Sequence, residues 1–540
     1  MTSKNQDFDF IIVGAGSAGC VLANRLSADP GTKVLVLEAG RESKSIYVHM
    51  PAGFAVASTA PRFGWNYDSD PEPGLDGRTM PCPRGRLLGG SSSINGMAFV
   101  RGNRADYDTW ARAAGPEWSY ENCLPAFKSL ETFKGVRSAY RGDRGPLSVI
   151  APVYSNPLNE IFLRACAEAG YPINPDTNGA SQDGFGPMDQ TIRDGRRDSA
   201  ATAFLNPARS RPNLTVWTDA LATRVLIEHG RAIGVEVLHR GARKQVHAGE
   251  VILSAGAINS PHLLMLSGVG PAEHLRHFGI DVKADIPGVG QGLEDHADFS
   301  LKVECTEPIS ASHYLSNPRK TLVGIEWLLR NTGPGATNHF EVAGYIRADG
   351  SAGIPDAQLC FVSLLVRPDG TRVGKDHGYQ ITVMVLRPES RGAVTLASAD
   401  PLVPPRMLFN YIAEAYDRKV LRDGLRAARR IVAEPAMAKV SGKEVQPGAD
   451  VISDDDIDRY MRATVKSTHH PCATCKMGSG EMDVTDSSGR VRGIANLRVV
   501  DASIMPRITS GNINAPTLML AEKISAVIVG RNRLPLENVA

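Results

Sequence analysis

Cysteine is scarce: eight thiols (Cys20, Cys82, Cys123, Cys166, Cys305, Cys360, Cys472 and Cys475) are scattered over 540 residues, unlike the dense spacing of a disulfide scaffold. Free thiols in a reducing compartment are expected. An excess of either charge is also lacking. Sixty Lys and Arg stand against 58 Asp and Glu, a net charge of +2, without the concentrated positive charge that neutralising a phosphate backbone demands. No nucleic acid is expected among the partners. No window holds about 18 uninterrupted apolar residues, so no transmembrane segment is predicted and any membrane contact would be peripheral. The opening MTSKNQDFDFIIVGAG has one Lys and an apolar core too short for a signal region. The mature chain is therefore expected to begin here and to be cytoplasmic, with peripheral attachment at the inner membrane left open.

What is present is an ordinary globular composition, 42% hydrophobic and 22% charged, which excludes wholesale disorder. At about 150 residues per domain the length suggests three to four domain-sized masses or two larger intertwined ones. The sequence shows no repeat, low-complexity tract or long linker, which favours interleaved domains.

Phe8 to Val13 (FDFIIV) reads as a buried parallel strand, a short apolar run ended by glycine. Residues 17 to 28 then carry Val21, Leu22 and Leu26 at helical spacing, and Val34 to Leu37 (VLVL) forms a second strand closed by Glu38. Between the first strand and the helix, Gly14, Gly16 and Gly19 spell G-x-G-x-x-G, and Glu38 follows Gly19 by nineteen residues. Gly14 permits the tight turn, Gly16 lets a pyrophosphate approach the backbone, and Gly19 allows close helix packing. The helix N-terminus, at Ser17 and Ala18, offers amides and partial positive charge. Glu38 can accept from both ribose hydroxyls and repels a 2′-phosphate. This unit calls for an ADP moiety; NAD and FAD are equally allowed by it.

Further along, residues 50 to 103 are rich in Gly, Pro and Ser but too apolar for a solvated linker, so an ordered loop is expected. Residues 156 to 174 have a helical pattern, and 213 to 256 alternate as a small meander returning to the sheet. Longer strands at YQITVMVL and GAVTLAS and an amphipathic helix over 417 to 434 follow. The Arg stripe of that helix (Arg422, Arg426, Arg429, Arg430) reads as a solvated face.

Three ordered blocks carry a resemblance to the glucose-methanol-choline (GMC) oxidoreductases. They are Gly85 to Gly96 (GRLLGGSSSING), Ser254 to Pro261 (SAGAINSP) running on to LSGVG, and HHPCATCKMG from His469 joined to VDAS at Val500 and GNINAPT at Gly511. The wording NHFE at Asn338 to Glu341 is most similar to the choline dehydrogenase branch. The resemblance implies an α/β chain, α+β overall: a Rossmann-type FAD-binding domain (1–155, 213–300 and 465–540) interleaved with a substrate domain on an antiparallel sheet (156–212 and 301–464). It implies FAD cradled by Arg86, Gly89, Gly90, Ser91, Asn95 and Gly96, with Ala255 contributed by the second block. Val225 would meet the adenine through backbone, Asp501 and Ala502 the ribityl and pyrophosphate region, and Asn514 and Thr517 the flavin pyrimidine. Where some members attach FAD through a His in the first block, this chain has Ile94, so dissociable FAD is expected.

The resemblance also places a catalytic His at His470 and a hydrogen-bonding amide at Asn512, 42 residues later. Imidazole titrates near neutral pH and can take a hydroxyl proton, while an amide can orient the substrate oxygen. His469 is the adjacent competitor. Cys472 and Cys475 form a C-x-x-C without a second ligand pair and read as packing, with no metal expected. Asp295-His296 reads as a structural turn at the domain junction. Glu341 is a candidate counter-ion for a cationic substrate, with Trp65 or Tyr345 adding cation–π attraction, or else a buried carboxylate tying strands together. The implied reaction is oxidation of a small alcohol to an aldehyde or ketone, with electrons passed to a quinone or to oxygen. An alcohol oxidase, a cyanohydrin lyase and a colourless NAD-binding protein are the alternatives.

Overall fold

Phe8–Val13 lies at the centre of a seven-stranded sheet, where its second half, Ile11 to Val13, is apolar and buried on both faces. Val34–Leu37 and then Leu214–Trp217 lie parallel on one side of it, and Ala242–Leu253 on the other. Ala242–Leu253 is long enough to serve twice. Its second half pairs in parallel with Phe8–Val13 and with Leu497–Val499, while its first half closes the antiparallel meander Ala220–Glu228 and Arg231–His239. The expected strand, helix, strand unit is present, with the helix at Ser17–Leu26. A computed structural model gives these coordinates and describes residues 7–315, 318–365 and 377–530. The N-terminal stretch on which the reading of the chain's start rests lies partly outside the described residues.

The last helix, Asn514–Ile528, crosses back onto Ser17–Leu26, joined by Ser17 Oγ donating to Asn514 Oδ1 at 2.8 Å and by the Arg25–Glu522 ion pair at 2.8 Å. Chain ends 497 residues apart in sequence thus form one wall of a single cavity. The helix expected over 156 to 174 is shorter, Leu158–Glu168, because Gly170 turns the chain at φ +85°.

The second sheet is antiparallel throughout: Ser441–Gln446, Ala297–Cys305, Gly378–Val385, Ala357–Val362, Val342–Ile346 and Gly184–Pro187, with Lys466–Ser467 also beside Ala297–Cys305. Period-two alternation gives it two unlike faces. Phe299, Leu301, Ile381, Val383 and Phe361 turn to a core covered by Leu421, Leu425 and Ile431 of the helix Ala415–Ala433. The opposite face presents Asp298, Gln358, Gln380 and Thr382 to the cavity. The Arg stripe is not simply solvated. Arg422 and Arg426 pair with Asp454 and Asp458 of the helix Asp454–Thr464, and Arg429 pairs with Glu444.

Candidate active site

A cavity of about 710 Å³ lies between the two sheets, running from the first glycine turn to the imidazole of His470. At its nucleotide end Gly14, Gly16, Ser17, Ala18 and Glu38 line the wall. A Cβ on Gly14, whose φ is +101°, would meet the Ser254 carbonyl oxygen at 2.5 Å, while one on Gly16 would meet nothing nearer than 3.9 Å. The backbone of Gly16 therefore opens directly onto the cavity. No side chain caps the helix that starts at Ser17, nor the one that starts at Asn514. Two uncapped N-termini facing one cavity suit an anionic ligand. Glu38 accepts from the Ala15 amide at 2.9 Å and the Gly40 amide at 2.8 Å, one on each carboxylate oxygen. The remaining lone pairs are left for ribose hydroxyls. Burial pushes Glu38 up to about 7, against those two amides and the Arg86 charge.

The first signature loop packs on this turn. The Gly89 amide donates to the Ala15 carbonyl at 2.7 Å, and a Cβ on Gly90 would lie 2.8 Å from Gly16 Cα. Arg86, Gly90, Ser91, Asn95 and Gly96 line the cavity beyond, with Arg86 4.7 Å above the Trp65 ring. Ala255, Asp501, Ala502, Asn514 and Thr517 complete the same wall. Asp501 binds the second and third blocks together by accepting from the Gly256 amide at 2.8 Å and from the Ser260 hydroxyl. Backbone amides along one wall and a ribose-accepting carboxylate at its end fit FAD.

Two expected contacts are not brought together with the rest, and two glycines act from behind. Gly19 does not line the cavity; a Cβ there would strike the Gly14 carbonyl oxygen at 1.9 Å, so its role is packing. Gly89, at φ +89°, likewise shapes the loop from behind. Val225 is buried with its amide bonded to Ser267 Oγ at 2.9 Å, and the strand instead meets the cavity at Ala220, Leu221 and Ala222. Thus Val225 does not line the cavity; the strand reaches it three residues earlier, at Ala222. Glu341 is also corrected as a substrate contact. Its carboxylate is fully buried and accepts from the Ser155 amide at 2.8 Å, Asn159 Nδ2 at 2.6 Å and Thr337 Oγ1 at 2.9 Å. It ties the start of the helix Leu158–Glu168 and the Ser155 and Thr337 loops to the entry of Val342–Ile346, outside the cavity lining, rather than joining strands. Glu341→Gln is expected to lower the melting temperature by a few degrees and to leave KM for every alcohol unchanged, because it weakens a buried network without touching substrate.

At the other end His470 and Asn512 meet, with Asn512 Nδ2 3.1 Å from His470 Nε2. Asp295 holds the His470 amide at 2.7 Å and the His296 amide at 2.9 Å, and its second oxygen accepts from Tyr411 and Ser467 hydroxyls. Asp295-His296, read as a junction turn, stands directly behind the His470 imidazole. Burial, and then the neighbouring His296, His469 and Arg84, hold the His470 imidazole well below its usual range. It is therefore neutral at pH 7 and keeps one ring nitrogen as an unprotonated acceptor. His469 also lines the cavity, with its pKa pushed down to about 3, chiefly by burial.

Sequence reasoning missed Asp298. It lines the cavity, is 5% exposed, and its Oδ1 has no hydrogen-bond partner among the described residues. Lys466 Nζ stands 3.7 Å away, beyond hydrogen-bond reach. Burial raises Asp298 to about 6, opposed by Lys466. The alternation of ADFSLKVEC marks a strand, but both faces are buried, so the pattern gives no sign of which one meets the cavity.

The GMC oxidoreductase family matches residues 8–298 with its N-terminal part and 388–521 with its C-terminal part. The chain belongs to the GMC oxidoreductases. It is 48% identical to an oxygen-dependent choline dehydrogenase of Burkholderia pseudomallei over 99% of this chain and 95% of that one. Identity to the oxygen-dependent choline dehydrogenase of Photobacterium profundum is 44% with the same coverage. Among solved structures, pyridoxine 4-oxidase from Mesorbium loti superposes with a TM-score of 0.89 at 32% identity, covering 97% of this chain and all of that one. Formate oxidase superposes at 0.92 and 26% identity, covering 98% and 99%. This GMC enzyme is a FAD-dependent oxidoreductase acting on CH–OH donors. No helix among its described residues is long and apolar enough to cross a membrane.

Proposed function

We propose that this enzyme oxidises a small cationic alcohol of the choline type to its aldehyde, with His470 as base, Asn512 as the amide that binds the substrate oxygen, and Asp298 as counter-ion. The observation that carries this reading is the buried carboxylate of Asp298, whose Oδ1 accepts no hydrogen bond among the described residues and has only the long 3.7 Å ion pair to Lys466, in the same cavity as the paired His470 and Asn512. A buried carboxylate is stabilised by an opposite charge; the half-exposed Lys466 supplies one at 3.7 Å, and a substrate ammonium in the cavity would supply a second at closer range. The names of the bacterial relatives point to the same substrate.

Bound FAD supplies the acceptor for the hydride that leaves the carbinol carbon. The chain's part is to take the hydroxyl proton at His470 Nε2 while the Asn512 N–H donates to the oxygen on which charge develops. FAD is held without a covalent link, since Ile94 lines the cavity where a linking His would stand. Acid precipitation of the holoenzyme is expected to leave all the flavin in the supernatant; yellow pellet would contradict this. All eight cysteines are unpaired, which supports a reducing compartment such as the cytoplasm.

The test is to add choline to the holoenzyme without oxygen. The yellow flavin absorbance should bleach and the aldehyde should appear in equal amount. Repeating this in air while measuring peroxide, and again with a quinone, identifies the electron acceptor. A flavin that stays oxidised with choline and with neutral alcohols alike would defeat the reading.

A further inference from the structure

His296 and His470 face each other through their Nδ1 atoms, 2.9 Å apart, so one of the two nitrogens must carry a proton and the other must not. The rest of the network decides which. His296 is fully buried, and burial pushes it down to about 4 although the Leu386 and Thr509 carbonyls favour its charged form. It is neutral at pH 7 and holds one proton. Its Nε2 lies 3.1 Å from the Leu386 carbonyl, which can only accept, so the proton is on Nε2 and Nδ1 is a bare lone pair. His470 Nδ1 must then be the donor. Thr468 agrees: its hydroxyl gives its proton to the His296 carbonyl at 3.0 Å, leaving Oγ1 as an acceptor 3.0 Å from His470 Nδ1. Asn512 agrees as well, because its amide nitrogen can only donate and stands 3.1 Å from His470 Nε2.

We infer that His296, seconded by Thr468, is a positioning residue that fixes His470 in the tautomer with its proton on Nδ1 and its basic lone pair on Nε2, facing Asn512 and the cavity. The opposite tautomer would set two lone pairs against each other at the His296 contact and two N–H groups against each other at Asn512. His296 touches neither substrate nor cofactor in this role; it acts through His470. The inference rests on the reading of His470 as the base.

The experiment is a long-range proton–nitrogen spectrum of histidine-labelled holoenzyme at pH 7.5, with the His470 signals assigned by their loss in His470→Ala. His470 Nδ1 should appear as a protonated ring nitrogen and Nε2 as a bare one. A protonated Nε2 in the unmutated enzyme overturns the proposal whatever the variants do. The double variant His296→Leu, Thr468→Val removes both acceptors; it should turn these signals into a mixture and slow anaerobic flavin reduction by about tenfold or more at unchanged KM. In the same Thr468→Val background, His296→Asn in place of His296→Leu returns an oxygen acceptor near the place of Nδ1 and should restore the single tautomer and most of the rate. If the Asn variant instead shows the mixture and the loss seen in the Leu variant, His296 acts by shape alone and the proposal falls. Should His470→Ala reduce flavin normally, the base assignment fails while the spectrum still reports the tautomer, so the two failures are distinct.

Discussion

His470→Ala is expected to purify yellow and to reduce its flavin with choline about 10²- to 10⁴-fold more slowly than the unmutated enzyme, the usual span for losing a general base. FAD should be retained because the groups proposed to hold it, from Gly14 to Glu38 and from Gly90 to Asn95, lie at other parts of the cavity and owe nothing to the imidazole. The same imidazole sets the pH dependence. Its folded pKa lies below the ordinary histidine value, so the active neutral form is complete at neutral pH and is lost only as pH falls. The rate constant for flavin reduction should therefore be flat with respect to His470 from pH 7 upward, and its acid limb should lie below about 6.5. Stopped-flow reduction without oxygen measures both effects. An alanine variant as fast as the parent, or an acid limb centred above pH 7, would remove His470 from its role.

The nucleotide end was legible because its signals are local. A glycine turn, the helix it opens and the strand that ends in Glu38 all fall within forty residues, and the first and third glycines have a steric reason in the structure, the 2.5 Å approach of Ser254 at Gly14 and the 1.9 Å clash awaiting a Cβ on Gly19, while Gly16 leaves its backbone open to the cavity. The pairing of His470 with Asn512 was legible only through resemblance, since nothing in residues 42 apart announces a 3.1 Å contact. Glu341 misled for a physical reason. A carboxylate beside His339 and Phe340 looks like a site, but its partners Ser155 and Asn159 come from 186 and 182 residues away and leave it nothing to offer a ligand. Asp298 and His296 escaped for the converse reason. They sit together where the chain enters a strand buried on both faces, and their importance follows from Lys466–Ser467, Thr468 and His470 arriving beside them from the far end of the chain.

Asp298→Asn separates charge recognition from chemistry. If the carboxylate balances a substrate ammonium in a site shielded from water, removing its charge should raise KM for choline by about thirtyfold or more, the lower end of the cost of breaking a buried charge pair, near 2 kcal/mol. The carbon isostere of choline, with a tert-butyl group in place of the trimethylammonium, should be oxidised by the variant about as well as by the parent, because it brings no charge to balance. The discrimination between the two alcohols, taken as the ratio of their kcat/KM values, should therefore collapse while kcat stays within a few fold. A pH signature accompanies it. Burial raises Asp298 to about 6 in the free cavity, so KM for choline should climb as pH falls through 6 and the carboxylate takes up its proton, with no such climb for the isostere or in the variant. Equal losses on both alcohols would mean that Asp298 only supports the sheet, and the cationic substrate would lose the residue that argues for it.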